Sequence, residues 1–165
     1  MDKTEIISPM KIDQLDLQIL DLLQQDGKMT HKEIGGKLAL STTAVYERVK
    51  RLERNNFIRG YVALINQPQL GLTLTAFCYV SLSSHNKKYL LAFQEEVIKL
   101  KEVSECFHIA GEYDYILKIT VNDMAAYRDF IVNKLTILEH ISNTQTIFVM
   151  EEIKNETAIP LYQRK

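Results

Sequence analysis

The sequence predicts an α+β protein in which a three-helix helix-turn-helix domain is joined by a hinge strand to a ferredoxin-like βαββαβ sandwich. Two observations support this prediction. From residue 11 to about residue 54, apolar residues recur every three or four positions, which is the period of an α-helix. After residue 56 the pattern becomes strand-like, with apolar and polar residues in alternation and two amphipathic helical stretches between the strands.

The first two helices are defined by their apolar positions and by a capping sequence. The first helix ends near Gly27, and its apolar residues share one face: Leu15, Ile19, Leu22 and Leu23. The stretch 30–33 reads Thr-His-Lys-Glu, which is a capping box at the start of the second helix. That helix is expected to bury Ile34 and Leu38.

A short connection and a serine cap introduce the third helix. Ala39 and Leu40 leave room only for a tight turn after the second helix. Ser41 is a good N-cap, because its hydroxyl can accept a hydrogen bond from a free backbone N–H group. The core-facing residues follow at i, i+4 and i+7, and they are Val45, Val49 and Leu52. Three short helices with a tight turn before the third indicate a helix-turn-helix.

The remaining chain divides into a connection and a sandwich. We expect a flexible arm at 1–10, the helix-turn-helix domain at 11–60, the hinge strand and linker at 61–71, and the sandwich at 72–165. The strand-like stretch itself runs over 57–65. The predicted strands of the sandwich are 72–82, 103–110, 115–121 and 142–150, and the predicted helices are 87–100 and one capped by Asp123. Four residues of the latter are expected to face inward: Met124, Tyr127, Ile131 and Leu135.

One face of the predicted sheet carries aromatic residues that no helix covers. The first strand places Leu74, Ala76, Cys78 and Val80 on one face and Phe77 and Tyr79 on the other. In a βαββαβ sandwich both helices lie on the same face of the sheet. The aromatic residues can be scattered surface residues, but an apolar patch of this kind favours a homodimer packed through the uncovered face.

Composition and charge exclude several classes of protein. The chain has 165 residues, of which 46% are hydrophobic and 25% charged, as in a globular protein. It lacks the run of about 18 apolar residues that a membrane span needs, and residues 1–11 do not resemble a secretory signal. Cys78 and Cys106 lie in apolar, strand-like stretches, so buried thiols are expected and not a disulfide or a metal site. We therefore expect a cytoplasmic protein that does not associate with membranes.

Positive charge is concentrated near the third helix although the net charge is only −1. Residues 41–60 contain five cations and two anions, a net charge of +3, so the other 145 residues carry −4. Helical geometry, at about 100° per residue, then sorts the side chains. The residues opposite the core side are Thr43, Glu47, Lys50 and Arg54, with Tyr46 and Arg51 at the margins.

This outward side suits a DNA recognition helix. Thr42 and Thr43 can reach base edges or phosphates, and three cations further along can neutralise the phosphate backbone. The full set of expected DNA contacts is Ser41, Thr42, Thr43, Tyr46, Glu47, Lys50, Arg51 and Arg54. A basic helix face is often only solvated surface, but the capped helix and tight turn before this one favour binding to double-stranded DNA.

Several motifs resemble the leucine-responsive/asparagine regulator family (Lrp/AsnC) of prokaryotic transcription factors. The stretch 40–65, LSTTAVYERVKRLERNNFIRGYVALI, is similar to the family pattern LSxxxVxxRVxRLExxGxIxGY. The similarity extends to KIDQLDLQILDLLQQDGK at 11–28, AGEYDYILK at 110–118, DMAAYRDF at 123–130 and FVMEEIK at 148–154. Ala39 and Asn56 replace glycines that the family prefers. If these positions have positive φ, alanine costs on the order of 1 kcal/mol, whereas asparagine is tolerated.

The resemblance implies a regulator that assembles and binds a small molecule. Similar proteins form dimers, often assembled into octamers, and bind amino acids between dimers of the C-terminal domain. The family loop G-x-[FY]-D-[YFL] corresponds to Gly111, Glu112, Tyr113, Asp114 and Tyr115. The side-chain pocket of the effector corresponds to Met124, Phe148, Val149 and Met150. The hinge strand at 57–65 would pair with its copy in the partner chain.

This loop is chemically suited to an amino acid. A zwitterion needs an anion beside its ammonium group, which Asp114 can supply, and free N–H groups for its carboxylate, which the Gly111-Glu112 turn can supply. Because the pocket residues are apolar, an effector with an aliphatic or thioether side chain is expected, and no other cofactor and no metal. The simpler alternative is that Asp114 only caps a hairpin.

Two other functions fit parts of the sequence. An architectural protein that compacts DNA without responding to a ligand would have the same N-terminal sequence. An enzyme would need a nucleophile and a base, for which Cys106, His108 and Asp114 are the available residues. However, the sequence contains no nucleophile elbow, P-loop, HExxH or CxxC motif, so we expect no catalytic activity.

Overall fold

The computed structural model of the chain describes residues 11–161, which form two compact units. The first unit contains the described residues up to Leu64 and also the C-terminal segment from Lys154, and the second contains Ile65–Ile153. The C-terminal segment therefore groups with the helices, although we expected it in the sandwich. The arm expected at 1–10 lies outside the described residues. No helix within 11–161 has the length and apolar character needed to span a membrane.

The first unit contains the three expected helices. They are α1 (Gln14–Gln25), α2 (His31–Leu38) and α3 (Thr42–Arg54). Their shared core consists of Ile19, Ile34, Val45, Val49 and Leu52, which are at most 3% exposed. The apolar periodicity predicted the buried residues of α3, and Ile34 of α2, because each helix must bury one stripe against the other two. Leu22, Leu23 and Leu38 are only partly buried against this core, and Leu15 does not belong to it.

Side-chain caps fix where these helices begin. Thr30 and Glu33 form the expected capping box at α2, and Ser41 accepts a hydrogen bond from the Ala44 N–H group at 3.1 Å. A second capping box, formed by Asp13 and Asp16 at α1, was not predicted. Each cap satisfies N–H groups that have no partner within the helix.

The turn between α2 and α3 has an unusual backbone. Ala39 has φ 54° and ψ 40°, in the left-handed region, and Asn56, which follows α3, has φ 57°. Both φ values are positive, as expected from the glycines that the family prefers at these two positions. Gly35 allows the turn to approach α2 closely, because a Cβ atom at Gly35 would lie 2.6 Å from the backbone oxygen of Leu40.

Replacing Ala39 with glycine is expected to stabilise the first unit. Glycine adopts a left-handed conformation without the steric cost that alanine pays, so Ala39→Gly should raise the free energy of unfolding by roughly 1 kcal/mol. For a unit of this size the corresponding rise in Tm is about 4–8 °C, measurable by differential scanning calorimetry. A Tm equal to or below that of the unchanged chain would contradict the expected strain at Ala39.

The second unit has the expected βαββαβ order. Its elements are β1 (Leu74–Leu82), α4 (Lys87–Val97), β2 (Val103–His108), β3 (Tyr115–Val121), α5 (Met124–Phe130) and β4 (Ile141–Phe148). A π-helical turn, Ile131–Leu135, continues α5. The four strands form one antiparallel sheet in the order β2-β3-β1-β4.

The sheet of the second unit has one covered and one uncovered face. On β1, Ala76, Cys78, Val80 and Leu82 are buried in the core together with residues from both helices, while Phe77 and Tyr79 are only half-buried. Phe77 pairs with Ile147, which is 51% exposed. Apolar side chains thus occupy the face without helices, as expected, and a dimer through this face stays a prediction.

Within the single chain the stretch 57–65 pairs with no described strand, and Val62 is 86% exposed there, so its expected pairing with the copy in a partner chain stays a prediction. Some details of the predicted elements are wrong. The helix α4 ends at Val97 and not at 100, since Lys99 and Leu100 donate to carbonyls only three residues earlier. Met124 is 53% exposed and not inward-facing: it is the first residue of α5, and the helix packs into the core one turn later, at Tyr127.

Candidate nucleic-acid interface and effector site

The outward side of α3 is exposed. The residues expected to contact DNA that lie on this open surface are Ser41, Thr42, Thr43, Tyr46, Glu47, Lys50 and Arg54. Helical periodicity therefore predicted their orientation. Their hydroxyls lie at the N-terminal end of α3 and their cations at the C-terminal end, where positive charge also stabilises the helix dipole.

Lys50 and Tyr46 form a small local cluster on this side. Lys50 Nζ lies 3.0 Å from Glu53 and 5.9 Å from the centre of the Tyr46 ring, and the ring of His31 meets Tyr46 edge-on. The hydrogen bond to Glu53 raises the pKa of Lys50. Partial burial, together with the nearby Glu53 carboxylate, raises the pKa of Tyr61 to about 12, and the Tyr61 hydroxyl donates to Glu53 Oε1 at 3.2 Å.

Arg54 differs from Lys50 in its surroundings. It is exposed on the last turn of α3, and no carboxylate within residues 11–161 forms an ion pair with it. A guanidinium group that forms no ion pair with residues 11–161 can offer its charge to phosphate groups. Arg54 is thus a candidate contact for a nucleic-acid backbone.

Arg51 is bound inside the first unit instead. Its Nη2 atom donates to both carboxylate oxygens of Asp16, at 2.9 and 2.7 Å, and Asp16 is completely buried. Arg48 donates from Nη1 to Asp16 and to Asp13, each at 2.7 Å. The charge of Arg51, which we expected to neutralise phosphates, is thus already compensated by α1.

This four-residue network attaches α3 to α1. The two aspartates, Asp13 and Asp16, are three residues apart in the sequence. The two arginines, Arg48 and Arg51, have the same spacing. Residues three apart lie on the same side of a helix, so two acids on one helix can meet two arginines on another. This matched spacing was the signal in the sequence that could have revealed the network.

The loop expected to bind an effector connects β2 to β3. Gly111 has φ 146°, a conformation that favours glycine, and Gly111 and Glu112 are exposed. The ring of Tyr113 lies 5.2 Å from that of Tyr79 on the uncovered face of the sheet, and its hydroxyl donates to Gln145. Tyr115 is buried and its hydroxyl accepts a hydrogen bond from Gln94.

Asp114 is already engaged within the second unit. It is 8% exposed, its Oδ2 atom accepts a hydrogen bond from the Leu82 N–H group at 2.7 Å, and its Oδ1 atom lies 2.8 Å from His85 Nε2. The carboxylate thus fixes the loop to the end of β1. This arrangement agrees with the simpler alternative of a hairpin cap, and His85, the partner of Oδ1, is 79% exposed.

The other expected effector residues lie at the opposite end of the sheet. Along β1, Tyr115 pairs with Val80, whereas Val121, which precedes Met124, pairs with Leu74. Six residues of strand separate the two positions, or about 20 Å. Phe148 pairs with Ala76, near the Met124 end, and Met150 is fully exposed. A single chain therefore does not bring the loop and the apolar residues together.

A groove marks the end of the sheet where Met124 lies. It has a volume of about 920 Å³ and is lined by residues of α5, the π-helical turn and β4: Met124, Ala125, Tyr127, Arg128, Asp129, Ile131, Val132, Asn133 and Thr146. A hydrogen bond between the hydroxyls of Tyr127 and Thr146 joins α5 to β4 at its base. Of the expected effector residues, only Met124 belongs to this lining.

The residues considered for an enzyme lack the features of a nucleophilic site. Burial raises the pKa of the Cys106 thiol, which is the opposite of the activation that a nucleophilic cysteine needs. His108 stacks on Tyr115, and Asp114 is bound to Leu82 and His85. The His108 and Asp114 side chains thus make structural contacts at this end of the sheet.

Comparison with known protein families gives a match for each unit. The AsnC-type helix-turn-helix domain matches residues 12–53, and the Lrp/AsnC ligand binding domain matches residues 75–159. The leucine-responsive regulatory proteins of Klebsiella pneumoniae and Escherichia coli (strain K12) are each 38% identical over 153 residues, which is 93% of this chain and 93% of each relative.

Solved structures agree with these matches. A transcriptional regulator from Neisseria meningitidis in complex with L-methionine has a TM-score of 0.87 and 35% identity, covering 91% of this chain and 97% of its own. An AsnC family transcriptional regulator from Agrobacterium tumefaciens has a TM-score of 0.86 and 34% identity, covering 90% of this chain and 97% of its own. All of these relatives are regulators and not enzymes.

Proposed function

Because the chain belongs to the Lrp/AsnC family of transcriptional regulators, with a helix-turn-helix domain for DNA and a ligand-binding domain, we propose that it binds specific DNA sequences in response to an amino acid. The observation that carries this proposal is the match of both units to their family counterparts, together with an open α3 surface. In this proposal α3 is the recognition helix. Its hydroxyl groups contact bases or phosphates, and Arg54 and Lys50 neutralise the backbone.

Replacing Arg54 or Lys50 with alanine should weaken binding to all DNA sequences and reduce its salt dependence. Removing one cation that binds a phosphate lowers the slope of log K against log[salt] by about 1 for each DNA-binding unit. The slope can be measured by fluorescence anisotropy with a labelled duplex over a range of salt concentrations. Lys101→Ala, which removes an exposed cation from the second unit, is the matched control. A slope unchanged from the control would remove that residue from the DNA-binding surface.

We place the amino-acid site between chains. The loop 111–115 and the group around Met124 and Phe148 lie at opposite ends of one sheet, so a site that uses both must take them from two copies. The loop then supplies Asp114 for the ammonium group and backbone N–H groups for the carboxylate. The second copy supplies apolar contacts for the side chain. The complex of the Neisseria relative with L-methionine supports an aliphatic or thioether effector.

The assembly that would create such a site begins with a homodimer. We propose that Phe77, Tyr79, Phe107 and Ile147 on the uncovered sheet face form its centre, because two of them are about half exposed in the single chain. Further association of dimers, to an octamer in this proposal, then brings the two ends of different sheets together. Multi-angle light scattering of the full chain gives the number of copies directly.

An amino acid with an apolar side chain should raise the Tm of the full chain, and Asp114→Asn should abolish most of that rise. Asparagine can still accept the Leu82 N–H bond, so the fold is kept while the negative charge is removed. Removing a charge-assisted hydrogen bond of about 1.5–3 kcal/mol weakens affinity roughly 10- to 100-fold. Differential scanning fluorimetry with L-leucine, L-methionine, L-aspartate and L-lysine measures the effect.

His85→Ala is the matched control for this experiment, because it removes the exposed neighbour of Asp114 but leaves the carboxylate. A full response of Asp114→Asn at the same effector concentration would show that Asp114 does not bind the ammonium group. If none of the four amino acids shifts the Tm of the unchanged chain, the architectural alternative gains support, and DNA binding by α3 is unaffected.

A further inference from the structure

The C-terminal segment is held on α1 by a pair of hydrogen bonds to its backbone. The side-chain amide of Gln24 donates from Nε2 to the Ile159 carbonyl at 3.1 Å, and its Oε1 atom accepts from the Ile159 N–H group at 2.9 Å. One side chain thus binds both main-chain groups of one residue. This is the pattern by which an extended peptide is recognised without regard to the identity of its side chain.

A second contact follows two residues later. Leu161 is half-buried and forms one side of a groove of about 420 Å³ on the first unit. The other residues that line this groove are Gln14, Leu17, Gln18, Asp21, Leu22 and Leu38. Three of these six residues are leucines, which offer Leu161 apolar neighbours on the first unit.

The sequence of the segment favours the conformation that these contacts need. Ile159 precedes Pro160, and the residue before a proline is biased toward extended backbone. Pro160 has no N–H group, so it leaves no donor unsatisfied between the two contacts. Less conformational freedom is therefore given up when the segment docks than for an ordinary chain of this length.

We propose that the surface of α1 is a docking site for an extended, proline-containing peptide, and that its occupant is the C-terminal segment 157–161 of the same chain. Gln24 anchors the backbone at Ile159, and Leu161 lies against the leucines that line the same groove. The chain leaves the first unit after Leu64 and returns to it at Lys154. With the segment docked, both ends of the second unit, Ile65 and Ile153, therefore continue into residues of the first unit. The docking site lies on α1 and leaves the outward side of α3 open.

Amide hydrogen exchange on the full chain tests this docking. Gln24→Ala should speed exchange of the Ile159 N–H group roughly 2- to 10-fold, the effect of removing one hydrogen bond. Leu161→Ala should speed the same exchange, since both contacts hold one segment. Gln25→Ala is the matched control, because Gln25 is the next residue on α1 and its amide binds Asp21. Exchange at Ile159 that is the same in the Gln24→Ala and Gln25→Ala chains would overturn the docking.

A complementation experiment tests whether the occupant belongs to the same chain. A Gln24→Ala chain with an intact C-terminus is mixed, under conditions that exchange subunits, with a chain that has Gln24 but ends at residue 155. If docking is within one chain, Ile159 exchange in the first chain stays fast after mixing. Recovery of slow exchange would show that the segment crosses to a second copy, and it would overturn the assignment.

Discussion

Replacing Asp16 with alanine is expected to lower the free energy of unfolding of the first unit by about 3 kcal/mol. Removing one partner of a buried ion pair typically costs about 3–5 kcal/mol, because the other charge is left uncompensated. The lower end of that range applies here, since the Arg48 and Arg51 side chains are 24% and 40% exposed and water can reach them. Denaturant unfolding followed by circular dichroism measures the change.

The same substitution should weaken DNA binding beyond its effect on stability. Asp16 binds two arginines of α3, so its removal leaves only the Arg48–Asp13 contact and the apolar core to hold α3 on α1. Asp21→Ala provides the control, because Asp21 is exposed on the same helix and its carboxylate accepts a hydrogen bond from the Gln25 side chain and not from α3. If Asp16→Ala and Asp21→Ala unfold at the same denaturant concentration, the network does not hold α3 in place.

The second large effect concerns two neighbouring glycines. Replacing one with alanine should destabilise the first unit, and replacing the other should stabilise it. Gly35→Ala places a methyl group 2.6 Å from the Leu40 backbone oxygen, so the turn before α3 must move. Overpacking of this kind costs about 1–3 kcal/mol, which exceeds the gain of about 1 kcal/mol from alanine in a helix. Gly36→Ala meets no atom within 4 Å, so it should stabilise the unit by up to about 1 kcal/mol.

These two chains also test how closely DNA affinity depends on the turn. Because Gly35→Ala displaces the start of α3, it should reduce affinity for a target duplex, whereas Gly36→Ala should leave affinity unchanged. Calorimetric unfolding and anisotropy titrations on both chains measure the two effects. If Gly35→Ala and Gly36→Ala stabilise the unit equally, the turn before α3 can move away from the added methyl group without a loss of stability.

Much of the fold could be predicted because it depends on local patterns. Thr30 and Ser41 cap helices through residues only three positions away, and the alternation along β1 follows from burial of one sheet face. Ala39 was recognised as a strained position because glycine is the residue that tolerates its conformation. In each case the information lies within a few residues of the chain.

The features that were missed depend on contacts between distant residues. The bond between Arg51 and Asp16 was not predicted, because Asp16 lies 35 positions earlier in the chain. Contact of Arg51 with DNA stays a prediction. The segment after residue 153 has no periodic pattern, so nothing in it indicated the contact with Gln24. The stretch 57–65 has the composition of a strand, but its expected neighbour is the copy in a partner chain, so its pairing stays a prediction.

The separation of the loop 111–115 from Met124 has a consequence for measurements of affinity. If each occupied site unites two chains, ligand binding and self-association obey one mass-action scheme. The apparent Kd for the amino acid then falls as total protein rises, and the amino acid in turn drives dilute subunits together. Sensitivity to the nutrient would be set by the cellular abundance of the regulator as well as by the chemistry of its pocket.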